Sequence, residues 1–362
     1  MRILYIAYPL LTVSPESAGG AEQVLWTLER EMARRGWETT VAASAGSCVA
    51  GDLFSTGEPC HEPDDLERRN REHQDKIVAL VRRRAREGRP FDLIHDESGS
   101  FWTRAAEVDP PVLATLHLPR TFYRPESFEN IPANVSFNCV SVSQARSFDE
   151  LNALQGVIPN GIALEVFAAG QGPRRRPRSG LLWLGRICEE KAPHLALDIT
   201  ARAGLPITLA GQVYPFSYHQ QYFDREVAPR LREMPKATFT SLPSFHRKRQ
   251  LLCEAQALLI TSLADETSSL VAMEAAASGT PVIAFARGAL PEIVRHGVTG
   301  FLVCGPDNMV PPLGRVSEID PATCTRHAQE HFSSAVMAEG YARLYARVLA
   351  ERARACEPSA AR

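Results

Sequence analysis

Asp265-Glu266-Thr267-Ser268-Ser269-Leu270-Val271-Ala272-Met273-Glu274 runs directly into Ala275-Ala276-Ala277-Ser278-Gly279-Thr280-Pro281-Val282-Ile283-Ala284, and the apolar run Leu258-Leu259-Ile260 precedes it. The order is strand, polar loop, helix, strand, the repeating unit of a parallel α/β sheet. Ser268 or Ser269 can cap a helix starting near Leu270, Gly279 closes it, and Pro281 restarts the chain as a strand from Val282 to Phe285. Glu266 then lies on the loop at the carboxyl end of a strand and Glu274 inside the helix, where both can face one crevice. The first helical turn between them offers unpaired N–H groups and partial positive charge, so one junction presents carboxylates to hydroxyls and amides to a phosphate.

The same alternation runs outward in both directions. In the N-terminal half, strands are expected at Ile3 to Ala7, Thr39 to Ala43, Leu93 to His95, Val112 to Leu116 and Cys139 to Val142. Helices are expected from about Ala21 to Arg35 and over roughly Leu66 to Arg86. The stretch Gly170 to Gly180, rich in Pro, Gly and Arg, reads as an exposed connection, and the boundary is placed there. Strands resume at Gly180 to Leu184, Ile207 to Ala210, Ala237 to Thr240, Ala257 to Ile260, Val282 to Phe285 and Phe301 to Val303. The expected fold is α/β, two doubly wound parallel-sheet domains over residues 1–169 and 170–334. A final amphipathic helix, 335–356, is expected to return to the first domain, with a polar tail at 357–362.

Composition narrows the function. Forty basic residues against forty-two acidic ones give a net charge of -2, which supplies no general field for nucleic acid. The eight cysteines show no C-x-x-C pair and no metal-ligand spacing, which suits reduced thiols in a cytoplasmic protein and leads to an expectation of no bound metal or cofactor. Met1-Arg2 leads straight into the first strand, and no apolar run approaches the roughly 20 residues needed to span a bilayer. The arginine-rich stretches Arg82 to Arg89 and Arg174 to Arg178 read as solvated charge. Their alternative is peripheral attraction to the anionic inner face of a membrane or to a lipid-linked acceptor.

Further motifs carry chemistry. Arg186 and Lys191, five residues apart, follow the strand Leu182-Trp183-Leu184, at the sheet edge where ligands bind in such folds. Arg186 can grip two phosphate oxygens with its planar fork while Lys191 acts as a point charge. Ala18-Gly19-Gly20-Ala21-Glu22 opens the first helix but lacks the full dinucleotide-binding glycine spacing, which weakens a nicotinamide oxidoreductase reading. His117, in Thr115-Leu116-His117-Leu118-Pro119, reads by itself as a structural hydrogen-bonding group or a site residue. His95-Asp96-Glu97-Ser98-Gly99 reads as a capped polar loop or an acceptor contact.

Gly185-Arg186 with Lys191, Glu266 and Glu274, the segment Ser278 to Ala284, and Gly288 with Pro291-Glu292-Ile293-Val294 together resemble the retaining glycosyltransferases of family 4. The resemblance covers essentially the whole chain and is densest from about residue 139 to 304. It implies the GT-B fold, two Rossmann-like domains facing across a cleft. It also implies that Arg186 and Lys191 bind the diphosphate, Glu266 the donor sugar and Glu274 the ribose, with the backbone at Ser268, Ser269 and Leu270 meeting phosphate or sugar. Gly19 and Gly20 approach the donor, His117 becomes an active-site residue, and His95, Asp96 and Glu97 fall on the acceptor side. The implied partners are a nucleoside diphosphate sugar, UDP ahead of GDP, and an acceptor that is a glycan, a lipid-linked sugar or a small molecule, with no metal required. Two departures stand out: Thr267-Ser268-Ser269 replaces a frequent Pro-Phe-Gly, and Ala192 stands where glycine commonly follows the lysine. The competing reading is a non-catalytic sugar-nucleotide-binding protein of the same fold.

Overall fold

The computed structural model describes residues 1–60, 65–168, 177–214, 216–241 and 243–356. They form two compact units, one of Met1–Gly161 with the segment from Ser334 onward, the other Ile162–Ser333. The expected boundary after residue 169 and the tail 357–362 lie outside the described residues.

Among the described residues the first unit holds seven parallel strands: β1 (Arg2–Ile6), β2 (Glu38–Ala43), β3 (Asp52–Ser55), β4 (Leu93–Asp96), β5 (Val112–Leu116), β6 (Val135–Cys139) and β7 (Leu154–Val157). Their order is β3-β2-β1-β4-β5-β6-β7. The expected strand at Cys139 to Val142 is displaced to β6. Val135, Phe137 and Cys139 alternate into the core, whereas Val142 is exposed and begins a short helix capped by the Ser141 hydroxyl, which accepts from the Gln144 N–H at 3.1 Å. Edge strands β3 and β7 carry no fully buried residue, so no apolar run announces them.

The closing helix, Ser334–Cys356, packs on this unit through the buried side chains of Tyr341, Leu344, Tyr345 and Val348. A polar network crosses the seam. The Tyr345 hydroxyl meets His95 Nδ1 at 2.7 Å, His95 Nε2 meets Thr115 Oγ1 at 2.7 Å, and Asn138 Nδ2 donates to the Tyr341 hydroxyl at 3.2 Å. Such groups are tolerated in a core because each finds a partner there.

The second unit holds β8 (Leu181–Leu184), β9 (Ile207–Gly211), β10 (Ala237–Ser241), β11 (Ala257–Ile260), β12 (Val282–Phe285) and β13 (Gly300–Val303), all parallel, in the order β10-β9-β8-β11-β12-β13. The register aligns Leu209, Trp183, Leu259, Ile283 and Phe301 in one row buried on one face. Leu182, Leu258 and Val282 fill the other face. Burial of both faces requires unbroken apolar runs, and each such side chain contributes about 1.5–3 kcal/mol. Because the strands are parallel, the loops after β8, β9, β11 and β12 emerge at one edge of the sheet.

Arg178, read as solvated charge, is instead a clamp. It donates from Nη1 to the Ala255 carbonyl at 2.9 Å and from Nη2 to the Ser278 carbonyl at 2.7 Å, satisfying the end of the helix Leu270–Ala277. Arg83 and Arg89 are exposed and pair with Glu87 and Glu38. Among the described residues no helix is long and apolar enough to cross a membrane.

Candidate functional site

In the second unit, backbone hydrogen bonds tie the edge loops together. The loop after β8 is joined to the end of β9 by Gly185 N–H to the Ala210 carbonyl at 3.1 Å and Ile187 N–H to the Gln212 carbonyl at 2.9 Å. A Cβ on Gly211 would lie 1.8 Å from the Gly185 carbonyl oxygen, so the two loops approach closely only because residue 211 is glycine. On the other side, the Glu190 carbonyl accepts from Leu263 N–H at 2.8 Å, and Thr261 Oγ1 donates to the Ala192 carbonyl at 2.8 Å. Ala192 itself is left-handed, with φ 47°, a conformation that costs a residue with a Cβ about 1–2 kcal/mol and that glycine adopts freely.

These ties bring Lys191 onto Glu266. Nζ lies 2.6 Å from each carboxylate oxygen, with the lysine side chain 30% exposed and the glutamate 8%. Glu266 is held from behind, where its carbonyl accepts from Ala289 N–H at 2.7 Å and Gly288, at φ +53°, packs on its backbone. Arg186 lies on the same loop but pairs with Glu190 at 2.8 Å, its guanidinium carbon 5.7 Å from the centre of the Tyr214 ring.

Glu266 and Glu274 engage different cations. Glu274 is 2% exposed and accepts from Lys248 Nζ at 2.7 Å, while its Oε2 is buried without a hydrogen-bond partner. Lys248 was not singled out in the sequence, because it sits in the polar run His246-Arg247-Lys248-Arg249 with no spacing to Glu274 that marks it. Ser269 occupies the position before the helix Leu270–Ala277, but its hydroxyl makes no capping bond, contrary to expectation. The Ser268 hydroxyl is likewise buried with no hydrogen-bond partner. Neither serine hydroxyl therefore caps the helix start.

In the first unit, Gly19 precedes the helix Gly20–Arg34, and a Cβ on it would lie 1.8 Å from Glu22 Oε2. Glycine there lets the Glu22 carboxylate fold back over the first turn. Burial raises the Glu22 carboxyl above its ordinary value, against the pull of its own backbone N–H and of His117. Glu22 belongs to the quoted glycine motif, but nothing in that motif foretold its burial.

His117 Nε2 makes a short hydrogen bond to Glu97 Oε2. An ionised carboxylate only accepts, so Nε2 carries the proton. Burial would raise the Glu97 carboxyl, but His95 and His117 on either side outweigh it and hold it below its ordinary value.

His95 and Asp96, read as a capped polar loop or an acceptor contact, have internal partners. Both are fully buried. His95 is committed to Tyr345 and Thr115, and Asp96 accepts from the backbone of Ser98 and Trp102 at 2.9 Å each. Both are the last residues of the buried strand β4. Glu97, just beyond the strand, lies between His95, whose Nε2 is 3.2 Å from its Oε1, and His117.

Burial lowers His95 from the ordinary 6.5 to about 4. The unfolded chain therefore takes up this proton first, and the stability that neutral His95 contributes above 6.5 is lost as pH falls to about 4. His95→Gln should destabilise the protein at pH 7, and its cost should shrink by about 3 kcal/mol by pH 4, read from urea midpoints across that range. A cost that does not change with pH would contradict a neutral buried His95.

Residues 178–312 match the family model described as Glycosyl transferases group 1, and residues 18–166 match Glycosyltransferase Family 4. D-inositol 3-phosphate glycosyltransferase of Mycolicibacterium smegmatis is 32% identical over 221 residues, covering 57% of this chain and 50% of that protein. The chain thus spans about half the length of such curated relatives. Among solved structures, sucrose-phosphate synthase from Thermosynechococcus elongatus aligns with a TM-score of 0.76 at 21% identity over 97% of this chain and 100% of its own. Anabaena HepE in complex with UDP and glucose aligns with a TM-score of 0.72 at 17% identity over 96% and 99%. At these identities the structural likeness concerns the fold alone.

Proposed function

Because the chain belongs to the family 4 glycosyltransferases of GT-B fold, we propose that it moves a hexose-type sugar from a nucleoside diphosphate sugar to an acceptor hydroxyl, with retention of anomeric configuration and without a required metal. The observation that carries this reading is the Lys191–Glu266 pair at the carboxyl edge of the second sheet, with Arg186 on the same loop. In the step proposed, the acceptor oxygen bonds to the anomeric carbon as the bond to the diphosphate oxygen breaks. The acceptor proton passes to the departing phosphate on the same face. Negative charge grows on the diphosphate, where Arg186 and Lys191 stabilise it as fixed cations, in place of a divalent ion.

Glu266, released from Lys191 as the diphosphate takes that cation, is assigned to the sugar hydroxyls, and Glu274, through its uncommitted oxygen, to the ribose. The unpaired Ser268 hydroxyl, with a Ser269 side chain that makes no capping bond, favours a polar ligand there. To Gly19, Gly20 and His117 we assign donor-side roles by family resemblance. UDP is the first nucleotide to test, since HepE binds UDP and glucose. The name of the M. smegmatis relative adds a cyclic polyol phosphate to the acceptors worth trying.

A thermal-shift panel of UDP, GDP and their hexose conjugates tests the reading. A matching nucleotide at 100 times its dissociation constant should stabilise the protein by about 2.7 kcal/mol. Transfer in chelator, with the product anomer read by NMR, tests the chemistry. Nucleotide binding with neither transfer nor donor hydrolysis would favour the non-catalytic reading.

A further inference from the structure

Three metal-ligating side chains that the proposed transfer does not use converge beside Arg186. One ligand atom each from Cys188, Glu190 and His219 lies within 4.8 Å of the others. Cys188 is fully buried, and His219, on the helix Ser217–Tyr222, is 1% exposed with neither ring nitrogen hydrogen-bonded. A buried polar atom without a partner costs about 1–3 kcal/mol, and this imidazole has two.

The ring is also fixed in place. It packs against Tyr218, Phe216 and Tyr214, with centroids 4.3, 5.5 and 5.8 Å away. The backbone bond from Ile187 to Gln212 ties the cysteine's loop to the loop that leads into this helix.

We propose that Cys188, Glu190 and His219 form a three-ligand site for a soft divalent transition metal of the Zn²⁺ type, with a fourth position open. Thiolate, imidazole and carboxylate are the donors such an ion takes, and bond lengths near 2.0–2.3 Å require the three side chains to close by roughly an ångström.

Burial, with Arg186 adding to it and Glu190 opposing, lowers His219 below its ordinary value and keeps the ring in its neutral, ligating form. Burial pushes the Cys188 thiol up to about 11, so the metal displaces its proton to solvent as the sulfur–metal bond forms, and affinity rises with pH. Burial alone would raise the Glu190 carboxyl. Backbone and Cys188 hydrogen bonds, with the charge of Arg186, hold it below its ordinary value and ionised.

Cys188 and Glu190 lie between Arg186 and Lys191 in sequence, so an occupied site adds positive charge to the loop assigned to the diphosphate. The expectation of no metal rested on sequence spacing, and this set evades it because His219 comes from a different element. The proposal goes beyond the transfer reaction, which needs no metal, and its test does not read turnover.

The experiment is a Co²⁺ titration of the chelator-treated, reduced full chain. The near-ultraviolet thiolate-to-metal band is followed, and Zn²⁺ affinity is then obtained by competition with a chromogenic chelator. One equivalent should bind, with the thiolate band, in the native chain and in Cys48→Ser and Cys304→Ser, which alter exposed cysteines. Cys188→Ser should lose the band, and His219→Ala and Glu190→Gln should each weaken affinity by more than about 100-fold. Glu190 is half-exposed, so its variant tests the site even where a buried substitution impairs folding. The proposal is overturned by native-like affinity in folded Glu190→Gln, by a thiolate band that survives in Cys188→Ser, or by no binding to the native chain.

Discussion

Replacing Lys191 with alanine should lower kcat/KM by about 10²–10³-fold, and Glu266→Ala should do the same, because the proposed mechanism places these groups where charge develops and where the sugar is held. Glu266→Ala should hardly move stability, because the Lys191 it leaves behind is 30% exposed and a partly solvated ion pair is worth about 0–1 kcal/mol, whereas Lys191→Ala leaves a carboxylate only 8% exposed without its cation and should cost about 1–3 kcal/mol. A urea midpoint near the native value in Glu266→Ala, together with collapsed turnover in both variants, is the signature of a catalytic pair. The two residues touch, so their effects should not add: the double variant should be no worse than about tenfold below either single one. Full activity in both single variants would remove the pair from the mechanism. Equal losses of stability and activity would make it a structural contact.

Gly288→Ala is expected to damage both fold and function, by about 2–3 kcal/mol and at least about 10²-fold in kcat/KM. A Cβ on residue 288 would lie 2.3 Å from the Glu266 carbonyl oxygen and 2.4 Å from its amide nitrogen. Both are backbone atoms, so the loop carrying the Glu266 carboxylate has to shift. The φ of +53° adds a conformational cost that any L side chain would bear. Gly297→Ala is the control: its φ is +74°, but nothing lies within 4 Å of the added methyl, so it should cost only about 1 kcal/mol and leave activity intact. If Gly288→Ala matched this control in both measurements, Gly288 would have no part in holding Glu266.

Much of the architecture was legible because the central strands are buried on both faces. Leu258 to Ile260 and Val282 to Phe285 are unbroken apolar runs, and the strands appear at those residues. The helix expected over Leu66 to Arg86 matches its observed span. Edge strands β3 and β7 went unread, because a strand paired on one side and not fully buried needs no apolar run. The strand expected at Cys139 to Val142 lies instead at Val135–Cys139, where Ser136 and Asn138 interrupt the unbroken apolar run by which the other central strands were read. Asn138 there is a fully buried polar residue, made tolerable by Tyr341 and Thr115.

The candidate site divides in the same way. Arg186, Lys191 and Glu266 could be read from their places just past strand ends, since parallel strands bring those ends to one edge whatever the side-chain packing. Their pairing could not. Lys191 meets Glu266 across 75 positions of sequence, Lys248 meets Glu274 across 26, and His95 meets Tyr345 across 250.

The sequence alone determined where the doubly buried strands and the long helices run and which loops carry charge after those strands, because burial imposes a pattern on apolar residues that a chain displays in one dimension. Which carboxylate holds which cation, which histidine is sealed in the core, and where Cys188, Glu190 and His219 gather was decided only by tertiary structure. A hydrogen bond or ion pair depends on atoms brought within about 3 Å by the packing of distant segments, and that proximity leaves no period in the sequence.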